Sequence, residues 1–390
     1  MRIALIDSTP KGKMYPLPLL KIGAWRKAEG DDCQIYSDRL PKSGEFDEIW
    51  ITTTFTFDIP HALGIVNEAK KRAGRVWVGG VSATLLPGGF EKLGVDVHRG
   101  LLQEAEKFNP DYGLLGRKPQ YSISHTSRGC IRKCGFCMVR KLEPKFKNRI
   151  GWEKDIHPKT NKVLFFDNNW IAKKRADLER DVDILKGLVS SGKVKHLDFN
   201  QGLDARLMTE EIADLLQGLP ISPIRFAFDG MQEDGFYQRA VRMMADRGFN
   251  LFRTYVLYNF TDSPVDLYYR MKVSVELEIE TGIHVESFPM RYQPILDIDA
   301  GRDYVGEKWT VKKRNGFMAI QAKHSCGAGM ISMHGGTFGT PLQEFEYWFG
   351  KDAEGFDHLL SYPKLSQLMA KKKGAMRTAR AETNIINSRS

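Results

Sequence analysis

Apolar positions in the first hundred residues fall in short runs separated by stretches of helical spacing. Residues 2–6 read as a short apolar strand, 17–29 as a helix, 34–36 and 48–52 as strands, and 59–73 as a helix. Residues 76–80 read as a buried strand running into a glycine turn, followed by a helix over 88–92 and a strand over 96–98. Such alternation favours a parallel sheet with helices on its faces. The pattern returns between about residues 119 and 297. Strands are expected at 123–126, 162–167, 196–200, 224–229, 252–258 and 284–289, with helices at 174–190, 209–216, 234–247 and 264–280. Beyond 297 the pattern loosens, with loops at 326–329 and 334–339 and short helices expected at 342–349 and 362–373.

At 390 residues, 42% of them hydrophobic, the chain can bury two domains and has no apolar run that would span a bilayer. Its amino terminus enters a strand directly, without a signal peptide's cleavage pattern. Five cysteines in all, with clustered thiols, suit a reducing cytoplasm. The net charge is +10, and the Lys371-Lys372-Lys373-Gly374-Ala375-Met376-Arg377-Thr378-Ala379-Arg380 tail contributes much of it. A basic balance favours a polyanionic partner, nucleic acid first, although such a tail serves equally well as a solvated end. No recognised nucleic-acid-binding motif accompanies it.

Three of the five cysteines stand in one loop, Cys130-Ile131-Arg132-Lys133-Cys134-Gly135-Phe136-Cys137. This C-x3-C-x2-C run, with an aromatic residue before its last cysteine, points to a metal or cluster site. Three thiolates on a four-iron cluster leave one iron open to an outside ligand. The alternative is structural zinc, with His125 completing a Cys3His set, although no second C-x2-C knuckle exists. Arg128, Arg132 and Lys133 would offset the negative charge of a cluster.

The loop resembles that of the radical S-adenosylmethionine enzymes. The resemblance implies that a 4Fe–4S cluster held by Cys130, Cys134 and Cys137 binds S-adenosylmethionine at its open iron. Reduction, by a donor such as flavodoxin or ferredoxin, would release a 5′-deoxyadenosyl radical that abstracts hydrogen from substrate. It also implies an α/β fold in three parts. A Rossmann-like domain of the cobalamin-binding type would occupy 1–110, a partial (β/α)6 barrel 118–297, and an extension with the basic tail 298–390. The first part resembles cobalamin-binding domains in its opening strand, the 16–23 turn into a helix and Val78-Gly79-Gly80. It lacks the D-x-H-x-x-G sequence that supplies an axial histidine, since Asp7 is followed by Ser8-Thr9-Pro10-Lys11-Gly12. That departure favours a structural or substrate-binding remnant over a cobalamin site.

Site residues are expected at the carboxyl ends of the barrel strands. By the resemblance, Asp167 and Asn168 would meet the amino group of S-adenosylmethionine; an ordinary strand-ending turn is the plain alternative. Asp198 and Asn200 share one face of the third strand, with Gln201, Asp204 and Arg206 at its rim, where the methionyl carboxylate or ribose would lie. A self-contained Asp204–Arg206 pair is the other reading. Asp229 ends the fourth strand and Tyr258 with Asn259 the fifth; Glu286, Arg291 and Tyr292 are further contacts. Tyr258 and Cys326 are the candidate catalytic groups, Cys326 as a hydrogen donor, while Cys33 reads as structural. The compact organisation and the 288–294 run resemble bacteriophage-encoded radical S-adenosylmethionine proteins, which implies, most specifically, an isomerase acting on amino-acid-modified thymidine in phage DNA; the basic charge agrees with that substrate. A cobalamin-dependent methyltransferase and a non-catalytic zinc-stabilised nucleic-acid-binding module are the alternatives.

Overall fold

The computed structural model describes residues 1–9, 14–297, 303–324, 331, 333, 339–350, 353 and 356. Cys326 and the basic tail lie outside the described residues, as does the helix expected at 362–373. The chain divides into two compact units. One contains Met1–Leu207 and Leu215–Ser222; the other contains Met208–Asp214, Pro223–Gln293 and the described residues from Asp303 onward. The division passes through the segment expected to form the barrel, between its third and fourth strands.

The first unit opens with five parallel strands: β1 (Arg2–Asp7), β2 (Asp32–Ser37), β3 (Phe46–Thr52), β4 (Ala73–Gly79) and β5 (Asp96–Val97). Their order is β2-β1-β3-β4-β5, the doubly wound flavodoxin-like arrangement. Ile3, Ala4, Leu5 and Ile6 are all fully buried, because helices cover both faces of β1. One face packs on the Ile59–Ala69 helix through Ile49, Ile51, Ala62 and Val66. The other packs on the Leu17–Ala28 helix through Leu5, Leu19 and Trp50.

A second parallel sheet in the same unit joins β6 (Ser122–Ser124), β9 (Lys162–Phe165) and β10 (His196–Phe199), in the order β10-β9-β6. Between β6 and β9 in sequence, the short antiparallel pair β7 (Ser127–Arg128) and β8 (Lys147–Asn148) closes the base of the cysteine loop. Phe165 and Phe199 stack with ring centres 5.0 Å apart, and Trp170 stacks on Phe199 at 4.1 Å. The second unit holds three more parallel strands, β11 (Ile224–Ala227), β12 (Leu251–Tyr258) and β13 (His284–Arg291), in sequential order. All six strands expected of the partial barrel therefore form and are parallel within their sheets, as the α/β reading requires. The Val311–His324 helix was not expected from the sequence. Among the described residues no helix is long and apolar enough to cross a membrane.

Candidate cluster and cosubstrate site

The cysteine loop leaves the carboxyl end of β6, and a set of buried charges fixes its first residues. Asp167, 3% exposed, accepts from the Thr126 amide and hydroxyl and from the Ser127 hydroxyl. Burial raises its carboxyl above the ordinary value, partly offset by these bonds. Both its oxygens are thus occupied in anchoring the loop, a different task from the cosubstrate contact expected of it. Gly129 follows with φ +77, a conformation that disfavours any side chain. A Cβ there would come within 3.0 Å of the Glu143 carbonyl oxygen and closer still to that of Lys145.

Glu143 accepts from the Gly129 amide at 2.7 Å, from Asn168 Nδ2 at 2.8 Å and from Arg128 Nη1 at 2.9 Å. The other arm of Arg128 reaches Glu106, which also pairs with Lys21 at 3.0 Å. Burial alone would raise the Glu106 carboxyl, but Arg128 and Lys21 overcome it and hold it below the usual carboxylate range. Lys21 is 1% exposed. The Leu17–Ala28 helix of the Rossmann sheet is therefore tied by charge to the residues just ahead of Cys130.

Cys130 Sγ receives two N–H donors, the Arg132 amide at 3.4 Å and Asn169 Nδ2 at 3.7 Å. Donors aimed at a sulfur suit a thiolate, which carries the charge they stabilise. The cysteines of the loop are half-buried, and none of the four described cysteines is in a disulfide. Among the described residues, no three His, Cys, Asp or Glu side chains gather around a single-ion position. A cluster makes a different demand, since each thiolate binds its own iron. These features fit a cluster ligand set. His125, the fourth ligand of the zinc alternative, is buried, and its ring centre lies 6.0 Å from that of Phe166. Burial, reinforced by Arg128, Lys21 and Arg149, pushes its pKa well below the ordinary value.

Asp204 joins the loop to the end of β10. Its Oδ2 accepts from Arg132 Nε at 2.7 Å and Asn169 Nδ2 at 3.1 Å, and its Oδ1 from Arg206 Nε at 2.7 Å. Burial opposes its charge, yet the bonds from Arg206 and Arg132 prevail and lower its pKa. The pair expected between Asp204 and Arg206 is present, extended to the cysteine loop by Arg132. Asp198 is buried within β10, Asn200 donates its amide to the Phe165 carbonyl oxygen at 3.0 Å, and Gln201 is exposed. Asn169 was absent from the expected set. It is 3% exposed, and its Oδ1 has no hydrogen-bond partner among the described residues. It lies beyond the end of β9, where strand alternation no longer tells which of Asp167, Asn168 and Asn169 turns inward.

Asp229 and Tyr258 belong to the second unit. Asp229 Oδ1 accepts from the Leu257 amide at 3.0 Å. Tyr258, 1% exposed, sits in a core with Trp309 and Phe317, its hydroxyl donating to Gln321 at 3.3 Å. That is a packing position, covered by the Val311–His324 helix. Asn259, with φ +66, bonds the Tyr292 and Tyr304 carbonyls and the Gly306 amide, so it holds a turn. Cys33 is buried, which pushes its thiol up to about 11 and leaves it unreactive.

In the Rossmann sheet, ligands of this arrangement lie where strand order reverses, outside the carboxyl ends of β1 and β3. After β3 the exposed rings of Phe55 and Phe57 stack with centres 5.1 Å apart. Gly80, at φ +95, lies so close to Thr52 and Thr53 that a Cβ would meet both. The buried Ser82 hydroxyl has no partner among the described residues. An exposed aromatic ledge at this switch point would suit a broad ring system such as a corrinoid.

No family model matches the chain, and no curated protein matches it. Among solved structures, the chain is similar to the radical S-adenosylmethionine methyltransferase TsrM from Kitasatospora setae with cobalamin and a 4Fe–4S cluster bound. The TM-score is 0.58 at 12% identity, over 95% of this chain and 90% of that one. The same enzyme with tryptophan substrate and the S-adenosylmethionine analogue aza-SAM bound matches at a TM-score of 0.55 and 13% identity, over 75% and 73% of the two chains. The fold is thus α/β with parallel sheets, Rossmann-like at its amino-terminal end and similar to that of this enzyme.

Proposed function

We propose that the chain is a radical S-adenosylmethionine enzyme that uses a corrinoid as second cofactor and transfers a methyl group. The observation that carries the cluster assignment is Cys130, whose sulfur receives two N–H donors inside a loop held by Asp167, Glu143 and Asp204. A bound cluster would supply electron transfer and an open iron for the sulfonium cosubstrate, and a corrinoid would carry the methyl group. Cys130, Cys134 and Cys137 would hold the cluster. The chain's other residues orient: Glu143 and Arg128 fix the loop backbone, and Asn169 Oδ1 offers an acceptor to the cosubstrate ammonium, the task expected of Asp167 and Asn168.

The likeness to a cobalamin-containing enzyme over 95% of the chain and the ledge at Phe55 and Phe57 support the corrinoid. The expectation of a remnant Rossmann domain gives way to it. Methyl transfer is likewise favoured over the thymidine isomerase, whose support is the 288–294 run and the basic net charge. Nucleic acid as substrate rests on that same charge. The test is anaerobic incubation of the reconstituted protein with hydroxocobalamin and S-adenosylmethionine labelled in its methyl group. Stoichiometric cobalamin binding with label passing to an acceptor supports the proposal. Absence of corrinoid binding with steady release of 5′-deoxyadenosine would return the assignment to hydrogen-abstraction chemistry.

A further inference from the structure

Resting on the cluster assignment above, we propose that Asn169 is a positioning residue that sets the reduction potential of the iron bound by Cys130. Its Nδ2 carries two hydrogens, and two acceptors lie within reach: Cys130 Sγ at 3.7 Å and Asp204 Oδ2 at 3.1 Å. Asp204 decides which way the amide points. Turned over, the amide would set its carbonyl oxygen against a carboxylate and a thiolate at once. Asp204 is itself fixed by Arg132 Nε and Arg206 Nε, each at 2.7 Å. The side chain is buried, and the price of this orientation is an Oδ1 left without a partner among the described residues. A core that needed Asn169 only for packing would gain by an apolar residue of similar shape.

The physical consequence has a definite sign. Adding an electron to a cluster increases negative charge on its thiolates, so N–H donors to sulfur favour the reduced state and raise the potential. Asn169 and the Arg132 amide supply two such donors to one sulfur. The amide of Arg132 belongs to the backbone and survives substitution, whereas the Asn169 donor is removable. The cluster corner at Cys130 is therefore easier to reduce than the loop sequence alone would make it.

The test is a potentiometric titration of the reconstituted cluster, followed by electron paramagnetic resonance without S-adenosylmethionine. Asn169→Leu removes the donor while keeping the same branched heavy-atom skeleton. At a fixed potential its ratio of reduced to oxidised cluster is expected to fall about tenfold, which for a one-electron couple is about 59 mV. Asn169→Ala removes the same donor without altering any charge near the cluster, and should shift the ratio the same way. Full iron content with an unchanged potential in Asn169→Leu overturns the inference. If Asn169→Leu takes up no iron, Asn169→Ala decides, and an unshifted potential there overturns it too. Wild-type protein that takes up no iron overturns the cluster assignment itself, and this inference with it.

Discussion

Arg128 Nη2 lies 3.0 Å from each carboxylate oxygen of Glu106, joining the residue two before Cys130 to a short helix beside the Rossmann sheet. Glu106 also serves Lys21, so one carboxylate balances two cations. The two ends of this chain of charges should respond differently to mutation. Glu106→Gln strands the buried Lys21, while Arg128 keeps its bond to Glu143, and is expected to cost about 3 kcal/mol. Lys21→Met leaves Glu106 paired with Arg128 and is expected to cost under about 1 kcal/mol. Denaturant midpoints of the two variants check this; equal losses would contradict the shared-carboxylate account.

Gly129 tests the loop geometry. Its left-handed φ costs an L-residue about 1–2 kcal/mol, and the carbonyls of Glu143 and Lys145 leave no room for a Cβ. Gly129→Ala is expected to displace the start of the loop and lower the iron retained after reconstitution. Full iron retention would show that the loop tolerates another path.

His125 gives a pH dependence. Its folded pKa lies well below the ordinary 6.5, because it is buried and near Arg128, Lys21 and Arg149. The ring is neutral in the fold and gains its proton only on unfolding. Stability from this group is therefore intact above pH 6.5 and is lost progressively as pH falls toward the folded pKa, at up to about 1.4 kcal/mol per pH unit. His125→Phe should flatten the dependence of the melting temperature on pH below 6.5. An unchanged slope would place the acid sensitivity elsewhere.

Tyr258 separates packing from chemistry. Tyr258→Ala empties a core position beside Trp309 and Phe317 and is expected to cost about 3–5 kcal/mol. Tyr258→Phe loses only the bond to Gln321, at about 1 kcal/mol, and should retain turnover of S-adenosylmethionine. Loss of turnover in a well-folded Tyr258→Phe protein would restore its catalytic assignment.

The strands were legible because β1, β4, β12 and their neighbours are short apolar runs between turn residues. The three cysteines were legible because their spacing is local. Tyr258 was misjudged because the helix that covers it, Val311–His324, has no apolar stripe to betray it. Phe317, Met318 and Ile320 are flanked by lysines, and Gly316 interrupts the middle, where it allows close approach to Phe356. The roles of Glu106, Glu143 and Asp204 depend on partners distant in sequence. Lys21 lies 85 positions from Glu106, and Arg132 72 from Asp204, so no local pattern pairs them.

The central claim is that three thiolates hold a four-iron cluster with one iron open to a sulfonium ligand. Electron paramagnetic resonance of the reduced, anaerobically reconstituted protein, before and after S-adenosylmethionine is added, tests it most directly. The account predicts about four irons per chain, a spectrum altered by the added cosubstrate, and loss of both in Cys130→Ala. Tightly bound zinc in place of iron, or a cluster spectrum indifferent to S-adenosylmethionine, would contradict it.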